Sequence, residues 1–467
     1  MKAIVWFRRD LRIFDNLALY HATLKYKEII PIFINDPNLE TIALGGASKV
    51  WLHHSLIALN KSLGNNLNLL SGDVNNTLKD LLSDNQIKAI YFNKVYEKNY
   101  LKQDTAIITE FEKLGIEVHS YNSTYINEPG EILKDDNNYY KVFTPYLKSS
   151  LKRSKIRNCY TPSKANYLKL ENGDNLEKFK LLPIKVRWDN KIIQNWEISE
   201  SGAEKALESF IQNNIRSYEQ SRNFPSMLSS SKLSPYLHFG QISAVRIWHK
   251  VNQFAAIEDV DCQRFITEII WRDFFVQILY FYPNLADRNM KTKFDNFKWE
   301  KSLKNLEAWQ CGKTGYPIVD AGMRELRQTG TMHNRVRMIC ASFLVKNLLI
   351  NWQEGAKWFW DNLFDADLAS NSANWQWVAG CGTDAAPYFR IFNPTTQAQK
   401  FDPDGEYIKK YIPELKNLPI KYIFEPWKAS KNILENANVK LGLDYPEPVI
   451  DLKESRQRAL NAYHEIA

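Results

Sequence analysis

No two cysteines in this chain are spaced to share a metal ion or a redox bridge. The five, Cys159, Cys262, Cys311, Cys340 and Cys381, never form a C-x-x-C, which argues against a disulfide framework and against a thiolate zinc or iron–sulfur site. They read as buried thiols. The eight histidines show neither H-E-x-x-H nor H-x-E, so metal hydrolysis has no candidates and no metal is expected. Neither G-x-G-x-x-G nor G-x-x-x-x-G-K-[ST] occurs, and the usual dinucleotide and nucleoside triphosphate phosphate loops are absent with them. No apolar run approaches the roughly 18 residues of a membrane span. The opening MKAIVWFRRD is charged at once and no apolar run of signal length follows it, so a cytoplasmic protein with no membrane partner is expected. Internal repeats and low-complexity segments are also missing.

What is present changes character along the chain. With 467 residues, 44% of them hydrophobic, two or three domains are expected. The first stretch alternates short β-branched or aromatic runs (KAIVWF, IIPIFI, LNLLSG, IKAIYF, IEVHSY) with amphipathic ones such as KVWLHHSLIALNKSLG. That is the pattern of repeated βαβ units and predicts a doubly wound parallel sheet over residues 1–128. From 129 to 195 the periodicity fades. Proline, asparagine and lysine accumulate, and residues 141–160 hold six basic side chains and no acidic one; this reads as a linker on the surface, its charge run either solvated or facing phosphates. From 196 to 467 nearly everything reads as helix, and 11 of the 14 tryptophans lie there. The formal charge of +8 permits a nucleic-acid partner without establishing one.

A buried indole N–H needs a partner, so a domain this rich in tryptophan is either very well packed or uses aromatic faces for chemistry. In RFITEIIWRDFFVQILYFY, Arg264, Glu268, Trp271 and Arg272 share one helical face. The same spacing describes an exposed salt-bridge ladder. TMHNRVRMICASFLVKNLLI places Asn334, Arg337 and Met338 on one face, and FDADLASNSANWQW brings Asp365, Asp367, Asn371 and Trp375 together. The mixture of amide, carboxylate, arginine and indole suits a planar, heteroatom-rich ligand next to unpaired bases. In NSANWQWVAGCGTD the paired tryptophans, Trp375 and Trp377, would point about 200° apart on a helix and cannot share one apolar stripe.

WFRRDLRIFDNLAL, SKLSPYLHFGQIS, EIIWRDFF, GKTGYPIVDAGMRELRQTGTMHNRVRMICASFLVKNLLINW and DADLASNSANWQWVAGCGTDAAPYFRIFNP resemble the DNA photolyase/cryptochrome family over the whole length. MHNRVRM and WQWVAG resemble the class I cyclobutane pyrimidine dimer photolyases; the (6-4) enzymes carry paired histidines where Met332 and Asn334 here flank a single His333. The resemblance implies an N-terminal α/β domain holding an antenna chromophore and an all-α C-terminal domain holding FAD. Tyr218 and the loop Ser230, Ser231, Lys232, Leu233, Ser234 match the flavin phosphate and ribityl contacts, a nest of hydroxyls and backbone N–H groups. Arg272 would bond the diphosphate. Arg337, paired with Asp365, and Asp367 would flank the isoalloxazine, Asn334 would lie at its substrate side, and Asn371 matches the residue set against flavin N5. Thr331 stands where class I enzymes often carry a further tryptophan.

On the lesion side, Glu268 and Asn334 match the pair that hydrogen-bonds the dimer's base edges, and Trp271 and Trp377 match the aromatic walls, with Met338 nearby. Trp375 would turn to the flavin and Trp377 to the flipped lesion. Arg222, Arg335 and Arg390 match arginines that hold the DNA phosphates. Trp375, Trp352 and Trp299 match an electron-hopping chain to the surface. The implied reaction is light-driven: FADH⁻ donates an electron to a pyrimidine dimer in UV-damaged DNA, the cyclobutane ring splits and the electron returns, which makes a monomeric lyase. The competing expectation is a cryptochrome-type blue-light photoreceptor, against which the short ending AYHEIA and the four lesion residues argue. For the antenna, NKVYEKNYLKQD aligns with a folate-binding segment, with Tyr100 where some class I enzymes carry a glutamate. Methenyltetrahydrofolate is expected first and 8-hydroxy-5-deazaflavin second.

Overall fold

All five β-rich runs form strands: β1 Lys2–Phe7, β2 Glu28–Asn35, β3 Asn68–Ser71, β4 Ile87–Asn93 and β5 Glu117–Tyr121. They pair in parallel in the order β3-β2-β1-β4-β5, the doubly wound arrangement. The crossovers carry α1 Leu17–Lys25, α2 Gly46–Ser62, α3 Val74–Leu82 and α4 Lys98–Lys113. Strands β1 and β2 are buried along nearly their whole length, which is why they read as unbroken apolar runs and not as alternating ones. Past residue 196, every regular element among the described residues is helical apart from an isolated bridge.

The computed structural model describes residues 1–83, 86–227, 229–255, 259–385, 387–388 and 390–466. They gather into two compact units, one of residues 1–216, 231–283 and 364–366, the other of residues 217–230, 284–363 and 367–467. Within the first unit the 129–195 stretch has more structure than its fading periodicity predicts. It holds α5 Phe143–Arg153 and a two-residue strand, β6 Asn166–Tyr167, that adds to β2.

Arg12 ties the first unit together. Its guanidinium is fully buried and donates to the carbonyls of Asp15 (2.7 Å), Ser123 (2.6 Å) and Gly240 (2.7 Å). Asp15 in turn accepts from Ser243 Oγ at 2.5 Å and from Arg157 Nη2 at 2.9 Å. Gly240 has φ +65, and a Cβ there would lie 2.1 Å from the Arg9 carbonyl, so no other residue allows this approach. Much of the RRDLRIFD run is thus a fastening between the sheet and residues 240–243.

The second unit is built on tryptophan. Trp309 is fully buried, donates from Nε1 to the Cys340 carbonyl (3.0 Å), and meets Trp375 edge to face at 6.2 Å. Gly355 makes room for the same indole, since a Cβ there would come within 2.1 Å of it.

Candidate functional site

In the first unit, candidate residues stand on the Val260–Phe281 helix. Asp259 caps it by accepting from Asp261 N (3.1 Å) and Cys262 N (3.0 Å), and Phe265, Ile266, Ile269, Ile270 and Phe274 bury one face. What remains half-buried is the row Arg264, Glu268, Trp271 and Arg272. Arg264 Nη2 and Glu268 Oε1 stand 3.6 Å apart, so one rung of the salt-bridge ladder allowed by the spacing is present. Trp271 is stacked against Phe143 of α5, with ring centroids 3.4 Å apart and planes 10° from parallel. Sequence reasoning missed Phe143, which lies 128 positions away. Arg272 donates from Nη2 to the Leu237 carbonyl (3.1 Å), while its Nη1 is buried with no partner among the described residues. That orphaned donor is what an arginine awaiting an anionic ligand should show. Ser231 is half-buried, Lys232 exposed at φ +54, Leu233 buried and Ser234 exposed at the start of a short helix; Asp365 is half-buried.

In the second unit, candidate residues stand on two helices. The Asn334–Ser342 helix begins at His333, whose Nδ1 accepts from Arg335 N at 3.2 Å. His333 N donates to Glu325 Oε2 (3.2 Å), which also accepts from Tyr407 Oη (2.6 Å), while Oε1 accepts from Tyr411 Oη (3.4 Å). Burial raises the Glu325 pKa. Burial first, then the charges of Arg337, Arg335 and Arg222, push His333 down to about 4, which keeps Nδ1 unprotonated as the cap requires. Asn334 is exposed, and Arg335, Arg337 and Met338 are half-buried. Arg335 lies over the Phe401 ring (4.3 Å) and donates to Asn223 Oδ1 (2.6 Å), and its Nε is buried without a partner. Its pKa is lowered by burial and then by Arg222, whose guanidinium lies over Tyr218. Two cations held that close leave a field that an anion would relieve. Arg337 Nε donates to the Met332 carbonyl at 2.8 Å.

On the Leu368–Ala379 helix the two tryptophans part as their spacing predicts. Trp375 is 3% exposed, against Phe359 (5.0 Å) and Trp309, whereas Trp377 is half-buried. Asp367 caps this helix, accepting from Ser370 N at 2.8 Å, and the left-handed Gly380 ends it. Asn371 donates from Nδ2 to the Ala356 carbonyl (3.1 Å). Trp352 is buried with Nε1 on Asn289 Oδ1 (2.9 Å), and half-buried Trp299 packs on Phe297. Ser230 and Arg390 are exposed.

In the first unit, Tyr100 lines a cavity of about 230 Å³ with Trp6, Arg9, Phe33, Glu40 and Phe179. Its hydroxyl donates to Glu40 (2.8 Å), and Arg9 bridges Glu40 and Glu97. The cavity sits past the carboxyl ends of β1 and β2, where ligands of open α/β sheets bind.

The family model "DNA photolyase" matches residues 3–166, and "FAD binding domain of DNA photolyase" matches residues 265–465. The deoxyribodipyrimidine photo-lyase of Agrobacterium fabrum is 43% identical over 98% of this chain and 97% of that protein. Among solved structures, a bacterial class III photolyase from Agrobacterium tumefaciens superposes with a TM-score of 0.95 at 42% identity, covering 100% of this chain and 97% of that one. A Synechocystis cryptochrome follows with a TM-score of 0.89 at 30% identity, covering 99% of each chain. With both family models placed on its two ends and a full-length relative at 43% identity, the chain belongs to the DNA photolyase/cryptochrome family and carries that family's FAD-binding domain.

Proposed function

We propose that this protein uses light to split cyclobutane pyrimidine dimers in UV-damaged DNA, with FAD as its resident cofactor. The observation that carries the reading is the division of one helix: Trp375 is buried in the tryptophan core while Trp377, two residues on, is left half-buried and available to stack on a flipped base. Reduced FAD, when bound, supplies a one-electron donor that light can excite. Arg272 offers its orphaned Nη1 to a diphosphate oxygen. Because the Asn371 amide nitrogen donates to Ala356, its Oδ1 would be the group left for the cofactor, an acceptor suited to an N–H. The resemblance adds Tyr218, Ser230 to Ser234, Arg337, Asp365 and Asp367 to the cofactor side. Arg337 donates to the Met332 carbonyl and Asp367 accepts from Ser370 N, which fixes their direction.

Toward the lesion, Asn334 and Glu268 hold the base edges. Glu268 shares its carboxylate with Arg264, so it reaches a base carbonyl only with a proton in the bridge. Trp271, backed by Phe143, and Trp377 stack on the bases beside Met338, while Arg222, Arg335 and Arg390 hold phosphates. Two C–C bonds of the dimer break and no net electron is consumed. A cryptochrome-type photoreceptor is the second reading, favoured by the Synechocystis neighbour; the four lesion residues favour repair. For the antenna, methenyltetrahydrofolate and then 8-hydroxy-5-deazaflavin are proposed. The hydroxyl of Tyr100 is committed to Glu40, so a pterin must find its carboxylate elsewhere, and mass spectrometry of the extracted chromophore decides.

The test is binding of dimer-containing against intact duplex. Asn334→Ala and Trp377→Ala are expected to erode the preference for damaged DNA, whereas Arg390→Ala weakens both duplexes alike. If both lesion variants discriminate as the wild type does, the assignment fails.

A further inference from the structure

Residues 141–160 carry six basic side chains and no acidic one, and neither the cofactor nor the lesion contacts use them. The structure turns most of this run into α5, an amphipathic helix. Phe143, Tyr146 and Ser150 are buried, and Phe143, the first residue, is the ring stacked on Trp271. The opposite side is exposed and carries Lys148 and Lys152, followed just past the helix by Lys155. Four residues at 1.5 Å of rise set Lys148 and Lys152 about 6 Å apart along the axis, less than two 3.4 Å base steps of one DNA strand. Lys148, Lys152 and Lys155 make no ion pair among the described residues. Arg153 differs: it donates to the Leu133 carbonyl and lies 3.8 Å from Asp135, so it is left out of the ridge.

Exposed lysines with neutralising partners are ordinary surface. Here three have none, two on a helix whose first residue backs the tryptophan proposed to stack on the lesion and one just past its end. We propose that this ridge is a second phosphate track, which holds the DNA backbone leading away from the flipped dimer. It rests on the reading of Trp271 as a lesion wall. The track adds affinity for duplex of any sequence and none for the lesion itself, since three ammonium groups on flexible stems see phosphate charge and not bases.

The test compares a long dimer-containing duplex with a thymine-dimer dinucleotide, which has a single phosphate. In the Lys148→Ala/Lys152→Ala/Lys155→Ala variant, the slope of log affinity against log salt for the duplex is expected to flatten by about 2 to 3 units, at about 0.9 per lost phosphate contact. Photorepair of the dinucleotide and the ratio of damaged to intact binding should stay at wild-type values. The triple Lys→Arg variant, which restores charge without restoring shape, should recover the slope. A wild-type slope in the alanine variant, or failure of the arginine variant to recover it, overturns the track while leaving the lesion assignment standing. A wild type that shows no preference for dimers overturns both.

Discussion

The Val260–Phe281 helix and the Asn334–Ser342 helix each carry residues proposed to meet the lesion; both have a capped start and a buried apolar face, and they differ in what braces the site residues. The first is 22 residues long, buries an apolar face and is braced by a stacked phenylalanine. The second is nine residues long and is held at its beginning by hydrogen bonds: the His333 cap, then Glu325 with Tyr407 and Tyr411 beneath it. Apolar bracing is indifferent to pH. A polar clamp is directional, so it can aim Asn334 and Arg335, but it depends on which groups carry protons.

The contrast breaks most visibly at Phe143. Phe143→Ala should cost about 3 to 5 kcal/mol by denaturant titration and weaken dimer binding to the same degree at every pH. A cost under about 1 kcal/mol would mean that Trp271 needs no brace. Glu325→Ala leaves two tyrosine hydroxyls and a backbone N–H without their acceptor and should cost about 2 to 3 kcal/mol. Glu325→Gln, which keeps a carbonyl oxygen, should recover part of that. The pH test sharpens the difference further. The folded-state pKa of His333 lies near 4, below the ordinary 6.5 of an unfolded chain, so its contribution is fully present above pH 6.5 and is lost as pH falls toward 4. Between pH 7 and 5.5 the wild type should lose about 1 kcal/mol more than His333→Asn, which keeps a capping oxygen and has nothing to titrate. Equal losses would remove His333 from the clamp. The smallest effect is expected at Trp299→Phe: under about 1 kcal/mol of stability, yet near-complete loss of FAD photoreduction under blue light, with repair intact once the flavin is reduced chemically. Photoreduction at the wild-type rate would move the electron exit to another residue, the half-buried Trp358 first.

How far each region was legible in the sequence follows from the range of the forces that shape it. The five strands announce themselves by runs of six or so residues, and the Trp375/Trp377 split follows from helical geometry alone. Strand β6 has two residues and no period to detect. Helix α5 lies in the stretch whose fading periodicity and proline content suggest a linker, although its Pro145 stands in the first turn, where proline lacks no needed bond. The motif residues could be named from the resemblance. Their supports could not, since Phe143, Asn223 and Glu325 reach Trp271, Arg335 and the His333 backbone from 128, 112 and 8 positions away, and nothing in local pattern marks a partner at such distances.

Arg12 has a consequence for how the chain is made. The β1–β5 strands are complete by residue 121, yet the guanidinium buried beside them takes a carbonyl from Gly240, and Trp51 Nε1 donates to Gln241 Oε1 at 2.9 Å. A ribosome that has released only the sheet has therefore delivered a domain with a charge and an indole waiting for acceptors that lie about 120 residues beyond the last strand. At about 5 to 20 residues per second that interval lasts about 6 to 24 seconds. Through it the nascent sheet must stay open or hydrated around Arg12, so the first part of the chain to be synthesised is not the first part able to finish folding.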